Sequence, residues 1–299
     1  MKKVTLTLAL CVSLGAAAQV LNVTGIEPLT LPEGTSKVTA ISQQGDYVLL
    51  TNDVNQGLTK LNLTNGAVQR VTDAAGAGYD VKLSADGQNV VYRETSYTKK
   101  HLRKTAVSKR NLATGEIAQL VKPTRELQAV AVAGNTAMTI KGKKMSAKAL
   151  GKDKAEKSTI LYSTQNYQLM VSENGNSRQI APLGTGVRYI WPQLSPDGTK
   201  ALFYVSGDAA YVSDLNGTNV KRLGVLRAAK WLDNNTVVGM VDTDDGYVYT
   251  SSSIVAMTLD GQSQTLTDDS VIAMYPQVAT GKIAFSTPTG EAYIINYTK

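Results

Sequence analysis

The apolar positions of this chain fall into short runs, each set behind a tight turn. The clearest spans residues 191–206, WPQLSPDGTKALFYVS, where a Ser-Pro-Asp-Gly turn separates an aromatic–proline strand from a continuous apolar one. The same frame returns at Ile41 (ISQQGDYVLLTN), Leu83 (LSADGQNVVYRE), Val132 (VAGNTAMTI), Trp231 (WLDNNTVVGMVD) and Val278 (VATGKIAFST). Beyond each of the first five runs an alternating stretch ends in a second turn: Thr64-Asn65-Gly66, Ala113-Thr114-Gly115, Glu173-Asn174-Gly175, Leu215-Asn216-Gly217 and Leu259-Asp260-Gly261. Asn-Gly and Asp-Gly reach positive φ with little strain, as two-residue hairpins require. A further short strand follows these turns, as at residues 68–72 and 220–223. The unit is therefore four strands, A to D, joined by tight turns, and no long helical pattern interrupts it.

A four-stranded unit at this period reads as a propeller blade. A lone blade cannot bury both faces, but a ring of blades buries each against its neighbours. Six A–B turns predict an all-β, six-bladed β-propeller of four-stranded antiparallel blades. The last unit stops after its C strand, near Tyr297, whereas residues 26–30 (IEPLT) carry the spacing of a D strand. The N-terminal segment is thus expected to close the last blade, and Pro28 suits an outermost strand, which can spare a backbone donor.

The W-P-x-L-S-P-D-G turn and strand, followed by the Leu-Asn-Gly-Thr-Asn-Val-Lys-Arg-Leu tail at residues 215–223, resembles the repeat of the TolB-type β-propellers, and is similar to the propeller parts of prolyl oligopeptidase-like enzymes. The α/β domain that precedes the propeller in TolB has no counterpart in the short stretch before the first repeat. The resemblance implies a non-enzymatic binding platform in the bacterial cell envelope. Its partner would be an envelope protein, such as a peptidoglycan-associated or outer-membrane component.

The extreme N-terminus agrees with export. A basic start (Lys2, Lys3), an apolar stretch to Leu14 and the small residues Gly15-Ala16-Ala17-Ala18 form a signal-peptide pattern, cut near Ala18. This leaves residues 19–299 as a single propeller domain, periplasmic, cell-surface or secreted, and not membrane-spanning. Cys11 is the only cysteine and falls in the leader, so the mature chain has no disulfide, thiol nucleophile or thiolate ligand.

Candidate chemistry is sparse, and no catalytic residue, metal site or cofactor is assigned. His101 is the only histidine and is flanked by Lys99, Lys100, Arg103 and Lys104; no G-x-S-x-G elbow occurs. Asp242-Thr243-Asp244-Asp245-Gly246 has the wrong spacing for a calcium loop and reads as a solvated acidic loop. Trp191, Trp231 and Tyr275 fall near A strands, where they either fill the core or line the channel mouth. The mouth opens the alternative function, a polysaccharide lyase or hydrolase, or a glycan- or small-ligand-binding propeller.

Charge points to one face. Residues 93–157 hold 16 Lys and Arg against 5 Asp and Glu, while the rest of the mature chain is acidic. Strand alternation places the D–A and B–C connections at one end of the ring and the short turns at the other. On the first end, Lys99, Lys100, Arg103 and Lys104 are expected to join Lys141, Lys143, Lys144, Lys148, Lys152, Lys154 and Lys157 of a variable connection, residues 141–158. An acidic partner or anionic glycan would suit this region; nucleic acid would not, because the chain is exported and aromatics are sparse among these lysines. Two outcomes are expected. Association through these lysines should slow as salt rises, measured by binding kinetics, because screening acts within roughly 8 Å at physiological salt. Gly198→Val should lower the melting temperature, because the turn calls for positive φ at Gly198.

Overall fold

A computed structural model describes residues 19–299, and among them strands and turns account for all regular structure. The expected leader, residues 1–18, lies outside the described residues. The first strand, β1 (Asn22–Pro28), belongs to the last blade. Blade 1 is β2 (Lys37–Ile41), β3 (Tyr47–Thr51), β4 (Leu58–Asn62) and β5 (Val68–Thr72). Blade 2 is β6 (Lys82–Leu83), β7 (Asn89–Tyr97), β8 (Arg103–Asn111) and β9 (Ile117–Thr124). Blade 3 is β10 (Leu127–Ala133), β11 (Thr136–Lys141) and β12 (Lys144–Ala149), and blade 4 is β13 (Ile160–Ser163), β14 (Leu169–Glu173) and β15 (Asn176–Ile180). Blade 5 is β16 (Tyr189–Leu194), β17 (Lys200–Val205), β18 (Ala210–Asp214) and β19 (Lys221–Gly224). Blade 6 is β20 (Arg227–Trp231), β21 (Thr236–Asp244), β22 (Tyr249–Thr258) and β23 (Ser263–Thr265). Blade 7 is β24 (Met274–Ala279), β25 (Lys282–Ser286) and β26 (Ala292–Thr298), completed by β1.

The propeller therefore has seven blades, not the expected six, and two of them have three strands. The miscount has a physical origin. Residues 141–158 are not one long connection. Lys141 and Lys144 pair across a tight turn, and β12 runs back along β11 until Ala149 meets Thr136. The chain then turns inward: the Glu156 amide donates to Thr136 Oγ1, and the Ser158 amide contacts Met138 Sδ. It thus enters β13 from the A–B turn end, climbing beside β11. An A strand descends toward that end, so β13 runs against the other inner strands and has no A–B turn of its own. Two extra strands, β12 and β13, split one expected blade into two.

The core confirms the count. Seven buried clusters each join two consecutive blades. In β3, Tyr47 and Leu49 face blade 2, while Val48 and Leu50 face blade 7. In β13, Ile160 and Tyr162 face blade 3 and Leu161 faces blade 5. A strand buried on both sides must be apolar throughout rather than alternating. This is why the B strands read as continuous runs, and β3 is buried at all five positions.

Ring closure follows the expectation, with the strand beginning four residues earlier. β1 pairs antiparallel with β26 from Asn22–Thr298 to Pro28–Tyr293. Just before it, the Val20 and Leu21 amides both donate to Gln264 Oε1 (2.7 and 2.8 Å), and Gln264 Nε2 donates to the Leu21 carbonyl (3.0 Å). Leu21 is buried between blades 6 and 7. One glutamine thereby satisfies three backbone groups that would otherwise lose water without a partner. In the turn of blade 5, Gly198 has φ +74, in the left-handed region, with open space around it. The cost of Gly198→Val is thus set by backbone strain rather than by a clash.

Deleting residues 20–32 should lower the melting temperature severely, because blade 7 would expose an edge and the blade 6–7 core would lose Leu21. Gln264→Leu should cost about 2–4 kcal/mol in denaturant unfolding, since two buried backbone groups of Leu21 and the part-buried Val20 amide lose their partner. Melting curves that match wild type in both variants would show that the ring does not depend on this closure.

Candidate functional site

The inner strands surround a channel. One repeat position, the inner-strand residue paired with the third residue of each B strand, holds Ala40, Lys82, Ala131, Gln193, Lys230 and Gln277 in the six blades that have an A strand. Lys82, Lys230, Gln193, Gln277 and Ala40 line a cavity of ≈ 210 Å³. Asp80 bonds both Lys82 and Arg93, the latter at 2.5 Å. The channel wall opposes ionisation of Asp80, but Lys82 and then Arg93 outweigh it and hold the carboxyl at about 2. Burial, with the nearby Lys82 charge adding to it, lowers Lys230 to about 8, against an opposing pull from Asp80.

Above this level the backbone is strained. Asp80, Trp191, Ala228 and Tyr275 have φ of 53, 51, 50 and 54°, all left-handed without being glycine. Three of them sit in β-bulges, where the register slips between Ile190 and Gln193, Arg227 and Lys230, and Met274 and Gln277. Such conformations cost of order 1–3 kcal/mol each and cluster where a side chain must be aimed. The bulges leave Trp191 44% and Tyr275 41% exposed. Trp191 also leans on Tyr204, with ring centroids 5.6 Å apart. Trp231 is buried between blades 5 and 6 and also lines the cavity.

Beside this mouth lies a buried ion pair, Arg227–Asp242, at 2.7 Å. Asp242 was expected in a solvated loop; its side chain is instead fully buried, and its Oδ1 has no partner. Burial raises its pKa despite Arg227. Burial, with the phenol of Tyr249 alongside, pushes Tyr275 up to about 12. Asp245 remains in the loop and accepts amides from Tyr247 and Val248.

The lysines divide. Lys99, Lys100, Arg103 and Lys104 lie at the β7–β8 tip, and Lys141, Lys143 and Lys144 at the β11–β12 tip, so seven basic groups share one face on adjacent blades. His101 is exposed in the same β7–β8 tip. Lys148 lies along β12 and donates to the Leu120 carbonyl. Lys152, Lys154 and Lys157 follow the far end of β12, with Lys157 beside Gly175 at the opposite face. The hairpin at Gly142 was hidden in the sequence by the surrounding charge.

Exposed apolar groups choose the same loop face. Of the sixteen exposed large apolar side chains, Ile26, Val68, Ile117 and Val220 lie on or beside outermost strands. The other twelve, including Val54, Tyr97, Trp191, Tyr275 and Tyr247 (96% exposed), lie at the end carrying the D–A and B–C connections. Two hairpins, β7–β8 and β21–β22, extend beyond the other blades there.

No family model matches the chain, and no curated protein matches it. Solved structures similar to it are β-propellers. The Cps50 (Swd1) β-propeller domain of Myceliophteria thermophila aligns over 93% of this chain and 100% of its own, with TM-score 0.60 and 11% identity. The β-propeller domain of the Trilobed protease from Pyrococcus furiosus aligns over 90% and 96%, with TM-score 0.59 and 12% identity. An oligogalacturonate lyase in complex with manganese aligns over 90% and 79%, with TM-score 0.50 and 13% identity. At such identities the likeness shows the fold alone.

Lys230 generates a prediction. Its lowered pKa means that the unfolded chain holds this proton more tightly than the folded one between about 8 and the ordinary lysine value of 10.5. The charged lysine therefore weakens the fold at pH 7, and that penalty fades as pH rises through this window. Lys230→Met should raise stability at pH 7 by about 1–2 kcal/mol, after allowance for water in the channel, and the gain should shrink toward pH 10.5. A lower melting temperature at pH 7 would mean that the ammonium group holds the channel together.

Proposed function

We propose that this protein is a non-enzymatic binding propeller of the bacterial cell envelope, which engages a protein partner through its loop face. The concentration of exposed apolar side chains on that face supports the reading. Large apolar patches left in water mark interaction surfaces, and here twelve of the sixteen exposed apolar side chains lie at that end, whereas Val68, Ile117 and Val220 are scattered at the starts of outermost strands. The basic tips of blades 2 and 3 and the acidic tip of blade 6, with Asp244 and Asp245, stand on different sides of the same face. Such a separation would orient an incoming partner and speed its association. The TolB-type character of the repeat and the signal-peptide pattern favour an envelope partner, peptidoglycan-associated or of the outer membrane.

The exposed rings of Trp191 and Tyr275 support a second reading, a glycan stacked over the channel mouth. The two readings separate experimentally. A photo-crosslinking residue in place of Tyr247 or Val54 should give one stoichiometric protein adduct in native envelopes, and one in place of Asn65 or Asn216, on the turn face, should give none. Equal crosslinking from both faces, or none from either, would overturn the protein-partner reading. A glycan ligand would instead quench Trp191 fluorescence on titration with oligosaccharides, and Trp191→Phe would abolish the signal.

A further inference from the structure

The charges that face the channel do not balance. Asp80 is shared by Lys82 and Arg93, while Lys230 meets no acid within ion-pair distance and no hydrogen-bond acceptor among the described residues. Lys82 and Lys230 line the cavity, the nearby Asp80 is already divided between Lys82 and Arg93, and a net positive charge is left over. The Arg227–Asp242 pair near the mouth is neutral and removes none of it. Gln193 and Gln277 add amide groups from blades 5 and 7. Gln193 turns its amide to the Ala229 carbonyl (3.0 Å), and Gln277 turns its amide to the Tyr275 carbonyl. Alanine at the equivalent places in blades 1 and 3 leaves room between them. The cavity has about seven times the volume of one water molecule, enough for a small acid.

We infer that the channel is an oxyanion site, in which Lys82 and Lys230, reaching in from blades 2 and 6, hold a carboxylate or phosphate group. An isolated ammonium group in a restricted space is costly unless it is paired, and a bound oxyanion supplies the missing partner. The cavity lies toward the turn-face end of the inner strands, and Trp191 and Tyr275 stand closer to the loop face. This goes beyond the proposed protein-binding role and rests on different residues. The oxyanion is either a free small acid or an acidic group carried on the partner that docks at the loop face.

Thermal shift and calorimetric titration with malonate and with inorganic phosphate, against sodium chloride at equal ionic strength, test the site. If the ligand is a free acid, at least one probe raises the wild-type melting temperature by several degrees. Binding then weakens at least tenfold in Lys230→Met and in Lys82→Met, and is unchanged in Lys122→Met. Because Lys230→Met is expected to fold more stably than wild type, its loss of binding cannot be ascribed to unfolding. If the acid is partner-borne, neither probe binds, but both channel variants lose the Tyr247 crosslink that Lys122→Met, on the exposed outermost strand β9, retains. If the probes do not bind and the crosslink survives in both channel variants, the oxyanion site is wrong and the protein-binding reading stands. If a probe binds as described but no face yields an adduct, the site stands without that reading. If no probe binds and no face yields an adduct, both are overturned.

Discussion

Every blade depends on its neighbours, because the second strand of each sheet is buried on both faces. The two faces of β3 belong to two different cores, one shared with blade 2 and one with blade 7. No blade can be made stable alone, and no gap in the ring can be tolerated without exposing one of these faces to water. The seam is therefore the position on which the whole ring depends. It is fastened by β1 on β26, by Leu21 in the core and by Gln264, which replaces water on three backbone groups at once.

The same ring geometry explains where function can reside. The turn end of each blade is short and repeated, and its loops bond one another across blades, as Ala85 does to Gly134 and Thr280 to Gln43. The opposite end is free to vary, and it carries the long hairpins, the exposed aromatics and the strained backbone of the mouth. Strain at Asp80, Trp191, Ala228 and Tyr275 is tolerable because the sheets beneath are fixed by cores on either side. Two functional surfaces thus follow from one constraint: an outer one of loops, and an inner one of inward-facing side chains.

Much of the architecture was legible in the chain. The repeated turns gave the blade, the strand order, the two faces and the closure, because hairpin chemistry is local. The blade number was not legible, because β13 enters without the turn on which the count was based. Its short apolar run, Ile160-Leu161-Tyr162, follows a lysine-rich stretch, and only packing against blades 3 and 5 reveals it as an inner strand. Trp191 and Tyr275 share one repeat position and are exposed, whereas Trp231, three positions closer to its turn, is buried between blades 5 and 6 at the cavity wall. Lys82 and Lys230 were overlooked although a signal existed: they hold one repeat position that is Ala or Gln elsewhere. The buried Asp242–Arg227 pair could not be foreseen, since the partners belong to different strands and the aspartate sits in an acidic run.

Weaving β1 into the last blade also has a kinetic consequence. Asn22 pairs with Thr298, so the first described strand and the last must meet before either is in place. Contacts of such sequence separation slow folding, because loop closure has to precede the reward of pairing. During synthesis the early blades can accumulate local hairpins, yet the seam between blade 7 and blade 1 stays open until the final strand has emerged. Until then the apolar edges beside Val48 and Leu50 remain uncovered, and the interval between chain completion and ring closure is when this protein is most exposed to aggregation.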